Sequence, residues 1–165
     1  MPTSPVSTES FSNAMARVCT PVSVVTTSDG QPHGTTVSAF TSLSLTPPMV
    51  LVSLDRQSNL LARLTRTGRF GLNVLSAAQA GVATRFARKG PDTFEGITWY
   101  EESGCPRLDG VLAWLACAVA EVVDGGDHRI VLGNVLRVDV SHDEPLTYHA
   151  RAFGTHLPAG RRPAC

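Results

Sequence analysis

The sequence predicts a mainly β protein with flanking helices, built as a closed antiparallel β-barrel. Short apolar and β-branched segments recur along the chain and add up to about seven or eight strands. Few of these strands alternate with helices, which argues against a doubly wound parallel sheet. A barrel accounts for so many apolar strands because closing the sheet removes its exposed edges.

Length and composition fit one domain with a substantial core. A chain of 165 residues buries about 70% of its unfolded surface. We expect one domain over residues 8–157, with flexible tails at 1–7 and 158–165. The 14 basic and 14 acidic residues cancel, which excludes the basic footprint that nucleic acid requires. Such a low net charge does little to prevent self-association, so the composition is compatible with a homo-oligomer.

The cysteines and the N-terminus indicate a cytoplasmic protein that does not enter a membrane. The four cysteines are widely spread, with no C-x-x-C pair and no metal-ligand spacing. The N-terminus lacks the apolar core of a signal peptide. The longest apolar run, Val111 to Ala120, is about half of what a membrane span requires. We therefore expect reduced thiols and no bound metal.

The first elements are a helix and a strand. Apolar residues spaced by four and three predict a short helix with Phe11, Met15 and Val18 on one face. Val22 to Thr27 is β-branched and predicts a strand, which ends at the turn Ser28-Asp29-Gly30.

Two strands and a helix should follow. The segment from Gly34 to Leu54 predicts two strands separated by Pro47-Pro48. The next helix is marked by an apolar face, a candidate N-cap and a stop. In that order these are Leu60, Leu61 and Leu64, then Ser58 or Asn59, then Gly68.

A strand and a third helix come next. Phe70, Leu72 and Val74 alternate with Gly71 and Asn73, which is typical of a half-buried strand. The capping-box pattern Ser76-Ala77-Ala78-Gln79 predicts a helix that runs to about Phe86 or Arg88 and ends at Gly90-Pro91-Asp92.

The rest of the chain is rich in strands. Ile97 to Tyr100 is a short strand. Two long apolar runs, Val111 to Val123 and Ile130 to Val140, flank the turn Asp124-Gly125-Gly126-Asp127 and predict a β-hairpin. Pro145 to Tyr148 adds a last strand.

The segment from Gly34 to Leu54, GTTVSAFTSLSLTPPMVLVSL, is the first candidate site. It holds no charged residue and crowds small hydroxyl residues onto a β-prone strand, notably Thr35, Thr36, Ser38 and Ser42. One interpretation is an edge strand whose outward positions are Ser and Thr. The other is a strand that lines a ligand site, with its backbone groups free to pair with a flat heterocycle.

Three further segments carry polar or charged groups. The loop from Leu54 through Asp55 to Ser58 and Asn59 is either ordinary helix capping or a phosphate site at a helix N-terminus. The cationic segment Arg85-Phe86-Ala87-Arg88-Lys89 either complements a helix C-terminus or binds phosphate. In the turn Gly125 to His128, Asp127 and His128 are either plain turn residues or contacts for a substrate head group.

Common catalytic fingerprints are absent from the sequence. It contains no G-x-G-x-x-G, no G-x-x-x-x-G-K and no G-x-S-x-G. The seven-residue spacing of His142, His149 and His156 fits neither a strand face nor an unbroken helix, so we do not expect a metal site there. Function must therefore be inferred from the four segments above.

Taken together, the chain resembles the short-chain NAD(P)H:flavin reductases, the reductase components of two-component flavin-dependent monooxygenases. The resemblance extends from about Phe11 to Phe153 and rests on the order and spacing of five segments. These are GTTVSAFTSLSLTPPMVLVSL at 34–54, GRFGLNVL at 68–75, ATRFARKGPDTFEG at 83–96, PRLDGVLAWLACAV at 106–119 and GGDHRIVLGNV at 125–135.

The resemblance implies a fold, an assembly and a set of site residues. The fold is the antiparallel split β-barrel of the FMN-binding type, as a homodimer with flavin near the interface. The residues implied for flavin are Thr35, Thr36, Val37, Ser38 and Ala39 at the ring and ribityl chain, Asp55, Ser58 and Asn59 near the phosphate, and Arg85, Phe86, Ala87 and Arg88. Ser42 and Leu54, from the candidate segments above, complete the expected cofactor-binding set. Asp127 and His128 match a Gly-Asp-His motif, with His128 beside the nicotinamide.

The implied activity is hydride transfer from NADH (or NADPH) to FAD (or FMN), which supplies free reduced flavin to a monooxygenase. Hydride transfer is chemistry that the two cofactors already possess, so the protein needs to position them and needs no nucleophile. One alternative is a split-barrel protein that binds flavin or haem without turnover, because a fold does not fix a function. A more distant alternative is an FMN oxidase of a small phosphorylated amine.

Overall fold

The computed structural model describes residues 5–90 and 92–160. Within this part of the chain, three helices and twelve strands form. The helices are α1 (Thr8–Met15), α2 (Asn59–Thr67) and α3 (Ala80–Phe86), the last preceded by a 3-10 turn at Ala77–Gln79. The expected tails lie mostly at 1–4 and 161–165, outside the described residues. None of the helices described is long and apolar enough to cross a membrane.

The strands form one large sheet and two small ones. In chain order they are β1 (Thr20–Pro21), β2 (Ser23–Ser28), β3 (Pro32–Val37), β4 (Phe40–Leu45), β5 (Pro48–Asp55), β6 (Arg69–Val74), β7 (Trp99–Glu102), β8 (Cys105–Leu108), β9 (Ala113–Gly125), β10 (His128–Val140), β11 (Leu146–His149) and β12 (Ala152–Thr155). The large sheet is antiparallel and has the order β3-β2-β6-β9-β10-β5-β4.

The expected closed barrel is wrong in one respect, because the large sheet has two edges. Its edge strands β3 and β4 are consecutive in the chain and only Ser38 and Ala39 separate them. So short a link forces the sheet to curl until its edges are neighbours. The Ser53 N–H donates to the Ala39 carbonyl at 2.8 Å, which brings β5 beside the end of β3. We call the unpaired line between β3 and β5 the seam, and it is the split of a split β-barrel.

The segment 34–54 therefore supplies three strands instead of the predicted two. The break at Pro47-Pro48 is present, but the chain also leaves the sheet at Ser38 and Ala39. No glycine or proline marks that second break, since its cause is the crossing from one sheet edge to the other.

Two apolar clusters cover the two faces of the sheet. One lies inside the curl, where Leu60, Leu61 and Leu64 of α2 pack with Val25 and Phe70. The other lies outside it, under α3 and β8, and contains Val24, Phe86 and Trp114. Neighbouring residues Val24 and Val25 are consequently both 0% exposed although they point to opposite faces.

The prediction that β6 is half-buried is wrong, because both faces of this strand are buried. Gly71 and Asn73, which alternate with the apolar residues, are buried as well. The Asn73 side chain is satisfied there: its amide donates to the Val24 carbonyl at 3.1 Å and its carbonyl accepts the Leu108 N–H at 2.8 Å. β8 was not predicted, because it is short and contains Pro106, and neither was β12.

Most of the remaining local predictions are confirmed. Ser58 is the N-cap of α2, and Gly68 ends that helix in the left-handed conformation with φ 70°. The capping box joins Ser76 and Gln79. β9 and β10 form the long hairpin.

The first helix is present, but its expected face is not buried. Phe11, Met15 and Val18 are 61%, 47% and 48% exposed, and Val18 lies beyond the end of α1.

We expect Gly71→Ala to destabilise the protein. A Cβ at Gly71 would overlap the indole ring of Trp114 and the hydroxyl of Thr26, and overpacking of this kind costs about 1–3 kcal/mol. The control is Gly81→Ala on the exposed side of α3, where nothing lies within 4 Å of the added atom. Urea unfolding should give a lower free energy for the first variant and an unchanged or higher one for the second. Equal values for both would contradict this packing argument.

Candidate functional site

A cavity of about 840 Å³ opens along the seam. That volume lies within the range of about 300–1,000 Å³ that is usual for small-molecule sites. Four parts of the chain line it: β3 with the residues on either side, the end of β5 with the start of α2, the chain after α3, and the hairpin turn. The lining residues are 31–39, 53–55, 57–59, Arg63, 87–90, Thr93 and His128.

The first wall is β3, which is held in place by its own hydroxyl side chains. Thr36 Oγ1 donates to the Ala83 carbonyl at 2.6 Å and Thr35 Oγ1 donates to the Phe86 carbonyl at 3.3 Å. Both threonine hydroxyls thus fix α3 against the strand. The groups that β3 offers to a ligand are therefore mainly those of its backbone edge, which pairs with no other strand in the described chain.

Gly34 allows α3 to approach this wall closely. A Cβ at Gly34 would lie 3.0 Å from the Phe86 ring and 3.2 Å from the Thr26 methyl group. Phe86 in turn packs edge-to-face on Phe94, with ring centroids 4.9 Å apart. The buried Phe86 side chain is therefore the anchor that positions the chain after α3.

The second wall is the turn from β5 into α2. The Asp55 carboxylate accepts the Gln57 N–H at 2.7 Å, and the Ser58 hydroxyl accepts the Leu61 N–H at 3.4 Å. The turn places the first residues of α2 in the cavity. The unpaired N–H groups and the positive dipole end of a helix favour a bound anion.

The third wall is the chain that follows α3. Because Thr36 bonds to residue 83 and Thr35 to residue 86, α3 runs opposite to β3. The chain after it therefore passes beside the beginning of β3. There Ala87, Arg88 and Lys89 line the cavity.

The turn of the β9–β10 hairpin forms the fourth wall. Arg56 holds this turn: its N–H donates to the Asp127 carbonyl at 3.0 Å, and its guanidinium donates to the Gly126 carbonyl at 2.6 Å. His128 lines the cavity beside Asp55, its partner in the ladder. The His128 ring lies 2.8 Å from the Asp127 carboxylate, and this hydrogen bond lowers the pKa of Asp127.

The cavity is electrically polarised along β3. One end, at Ser38, Ala39 and Ser53, is lined by backbone and uncharged side chains, and Asp55, two residues beyond Ser53, is the one carboxylate among the described lining residues. Its open end lies at the beginning of β3, between Arg63 on one side and Arg88 and Lys89 on the other. A ligand with a neutral, flat, hydrogen-bonding part and a phosphate-bearing part matches this arrangement.

The structure brings most of the sequence-predicted site residues together. Twelve of them line the cavity: Thr35, Thr36, Val37, Ser38, Ala39, Leu54, Asp55, Ser58, Asn59, Ala87, Arg88 and His128.

Four others lie elsewhere. Ser42 is on β4, which lies beyond β5 in the sheet. Phe86 is 0% exposed in the outer apolar cluster. Arg85 turns away to the Asp92 carbonyl at 2.7 Å and the Glu95 carboxylate at 3.4 Å. Asp127 is exposed and touches the site only through His128.

Two cavity residues missed in the sequence could have been found by periodicity. His33 precedes Thr35 by two positions, which puts both on the same strand face. Arg63 follows Asn59 by four positions, which puts both on the same helix face. Burial, followed by the charge of Arg63, lowers the pKa of His33, so the imidazole is neutral at pH 7.

Comparison with known proteins agrees with this geometry. Residues 15–156 match the flavin reductase like domain family. The chain is 36% identical to the reductase component of 4-nitrophenol 4-monooxygenase/4-nitrocatechol 2-monooxygenase of Rhodococcus opacus, over 93% of this chain and 84% of that protein. It is 39% identical to the FMN reductase (NADH) of Agrobacterium fabrum, over 88% and 84% of the two chains.

A solved structure of a flavin reductase is also similar to this chain. The NADH:FAD oxidoreductase of Streptomyces globisporus, in complex with NAD and FAD fragments, superposes with a TM-score of 0.88 at 32% identity. The match covers 96% of this chain and 100% of the other.

Proposed function

This chain belongs to the flavin reductase like domain family, and we propose that it transfers hydride from NADH (or NADPH) to FAD (or FMN). It is an oxidoreductase that supplies reduced flavin to a partner monooxygenase. Relatives named as an NADH-dependent FAD reductase and as a monooxygenase reductase component support this activity. The observation that carries the proposal is the polarised cavity, with a neutral end along β3 and cations at its open end.

The lining residues fit a flavin nucleotide. The open edge of β3 from Thr35 to Val37 and the link residue Ser38 offer backbone donors and acceptors to the ring and the ribityl chain. The start of α2 at Ser58 and Asn59 offers helix N–H groups to a phosphate. Arg88 adds charge on the opposite side. Ser42, Arg85, Phe86 and Asp127 lie outside the lining, so we assign Phe86 and Arg85 a supporting role through the position of α3.

The chemistry requires positioning more than acid–base catalysis. When both nucleotides are bound, the nicotinamide supplies a hydride to the flavin ring, which leaves oxidised nicotinamide and reduced flavin. The chain's share is to hold the two rings in contact and to exclude water from between them. The end lined by Ser38, Ala39 and Ser53 suits the rings because backbone groups and small uncharged side chains form it.

His128 is the residue that we assign to the nicotinamide. It lies on the cavity wall opposite β3, and its ring is oriented by the Asp127 carboxylate at 2.8 Å. Arg56 fixes the turn that carries both residues, through hydrogen bonds to two of the turn's carbonyls. An imidazole held in this way can hydrogen-bond the nicotinamide amide without taking part in the hydride transfer.

We also propose that the domain spans residues 8–157 and works in the cytoplasm as a homodimer. The three cysteines of the described chain are free thiols, in keeping with a reducing compartment. We propose that a second copy of the chain covers the exposed apolar residues of β10.

An apolar stripe on β10 supports the dimer. Leu136, Val138 and Val140 alternate along the strand and are 56%, 63% and 67% exposed. This half of β10 extends past β5, whose pairing ends at Asn134, so one edge of β10 is open there. A row of exposed apolar side chains beside an open strand edge is typical of a surface covered by a partner.

Purified protein tests the activity directly. NADH and FAD, and the three other pairings with NADPH and FMN, should be tested for loss of the nicotinamide absorbance at 340 nm. We expect turnover with at least one pairing, and release of reduced flavin that passes through a dialysis membrane. Binding of flavin without turnover in any pairing would favour the non-catalytic alternative.

His128→Ala should separate nicotinamide use from flavin binding. Loss of one positioned hydrogen bond predicts a KM for NADH raised about five- to tenfold, with the Kd for flavin changed less than about twofold. Steady-state kinetics and flavin fluorescence titration measure the two quantities. His142→Ala, an exposed histidine outside the cavity, is the control and should change neither. An equal loss of flavin affinity in the His128 variant would refute this assignment.

Val138→Asp should weaken the proposed dimer. A carboxylate in an apolar interface loses its hydration without gaining a partner. We therefore expect the dissociation constant of the dimer to rise by about a hundredfold or more. Light scattering after size exclusion measures the mass. Val123→Asp makes the same change at a 38% exposed valine on β9, outside the stripe, and should leave the dimer intact. A wild-type protein that is monomeric in solution would refute the proposed dimer.

A further inference from the structure

Arg63 is the one arginine of α2 that lines the cavity, and it is held in a fixed position. Its guanidinium donates to Asp29 Oδ1 at 2.5 Å. Asp29 lies in the turn between β2 and β3, and its side chain is only 14% exposed. The same carboxylate also binds Arg66 through its other oxygen. Arg63 is therefore tied to the turn that leads into the first cavity wall.

The three side chains together retain a net positive charge. Two guanidinium groups share one carboxylate, which leaves one charge unbalanced. A guanidinium has five N–H donors, and the bond to Asp29 uses one of those on Arg63. The remaining donors of a side chain already held in place bind an anion with little further loss of conformational entropy.

His33 extends this group along β3. It lies on the cavity wall beside Arg63, half-buried, and the charge of Arg63 helps to lower its pKa. A neutral imidazole next to a guanidinium offers one donor and one acceptor, which suits a ribose hydroxyl or an adenine edge.

Cations thus stand on both sides of the open end of the cavity. Arg88 and Lys89 lie on the α3 side, and Arg63 lies on the α2 side. A mononucleotide has one phosphate and can satisfy one side. A pyrophosphate-linked dinucleotide continues past it, and the six residues of β3 give a wall of about 20 Å along which it can extend.

We propose that Arg63, anchored by Asp29, binds the adenylate phosphate of FAD and so selects FAD over FMN. The inference rests on the proposed function, since it assigns one part of the flavin to one part of the same cavity. It makes Arg63 a specificity-determining residue that does not touch the reacting ring.

The test compares flavin binding by Arg63→Gln and by wild-type protein stripped of flavin. Isothermal titration calorimetry should give a Kd for FAD raised about tenfold and a Kd for FMN changed less than about twofold. Arg66→Gln is the matched control: it lies on the same helix, binds the same carboxylate and carries the same charge, but it does not line the cavity. Its loss also removes the unbalanced charge, so it should raise the Kd for FAD less than Arg63→Gln does and leave the Kd for FMN unchanged. Arg63→Lys should recover part of the lost FAD affinity.

A second measurement needs no variant. On wild-type protein, 5′-AMP should weaken FAD binding by competition and leave FMN binding unchanged. Failure of AMP to compete with FAD would overturn the inference, whether or not the Arg63 variants fold.

Arg63→Gln should also be titrated with NADH and NADPH. Three outcomes would overturn the inference: no change for either flavin, an equal loss for both flavins, or a loss confined to NADH or NADPH. The last would assign Arg63 to the nicotinamide nucleotide. In all three cases, wild-type protein that still reduces flavin leaves the proposed function standing.

Discussion

The site depends on one constraint, the two-residue link between the edges of the large sheet. β3 and β4 lie at opposite ends of the strand order, yet only Ser38 and Ala39 separate them in the chain. The sheet must therefore curl, and the bond from Ser53 N–H to the Ala39 carbonyl extends the β4–β5 ladder into this link. Beyond that point β3 and β5 do not pair. The cavity occupies the place where a complete barrel would have a ladder of hydrogen bonds. The edge of β3 along the cavity therefore has backbone donors and acceptors that do not pair with another strand.

In the proposed function, the cationic side chains of the cavity lie away from the end assigned to the reacting rings. Cations lie at the open end, whereas the closed end beside Ser38 and Ala39 is lined by backbone and small side chains. A flavin ring gains and loses charge during reduction, so a fixed ion beside it would favour one state over the other. Phosphates do not change during the reaction, and fixed cations can hold them throughout the cycle. This division also explains why the sequence shows no catalytic fingerprint.

Local sequence signals predicted the elements well, and they failed where tertiary context decides. The β9–β10 hairpin and the cap of α2 follow from turn and capping residues, and both are present. The departure at Ser38 carries no such signal, because two ordinary residues make it. Arg85 and Arg88 are three positions apart in one cationic segment, yet one reaches Glu95 and the other the cavity. Nothing in the sequence distinguishes Arg63 from Arg66 on the same helix, and only the structure shows that Arg63 is the one that lines the cavity.

The same geometry accounts for a flavin that is bound and then released. Arg88 and Lys89 are exposed, and the side chain of Arg63 is 32% exposed. Cations in contact with water are screened by salt within about 8 Å at physiological ionic strength, and each contributes modestly to binding. The backbone edge of β3 can add hydrogen bonds to the ring, but water can replace them when the ligand leaves. A group that is retained between turnovers needs contacts that water replaces less readily. The open cationic end suits instead an enzyme whose product is the reduced flavin itself, passed on to another protein.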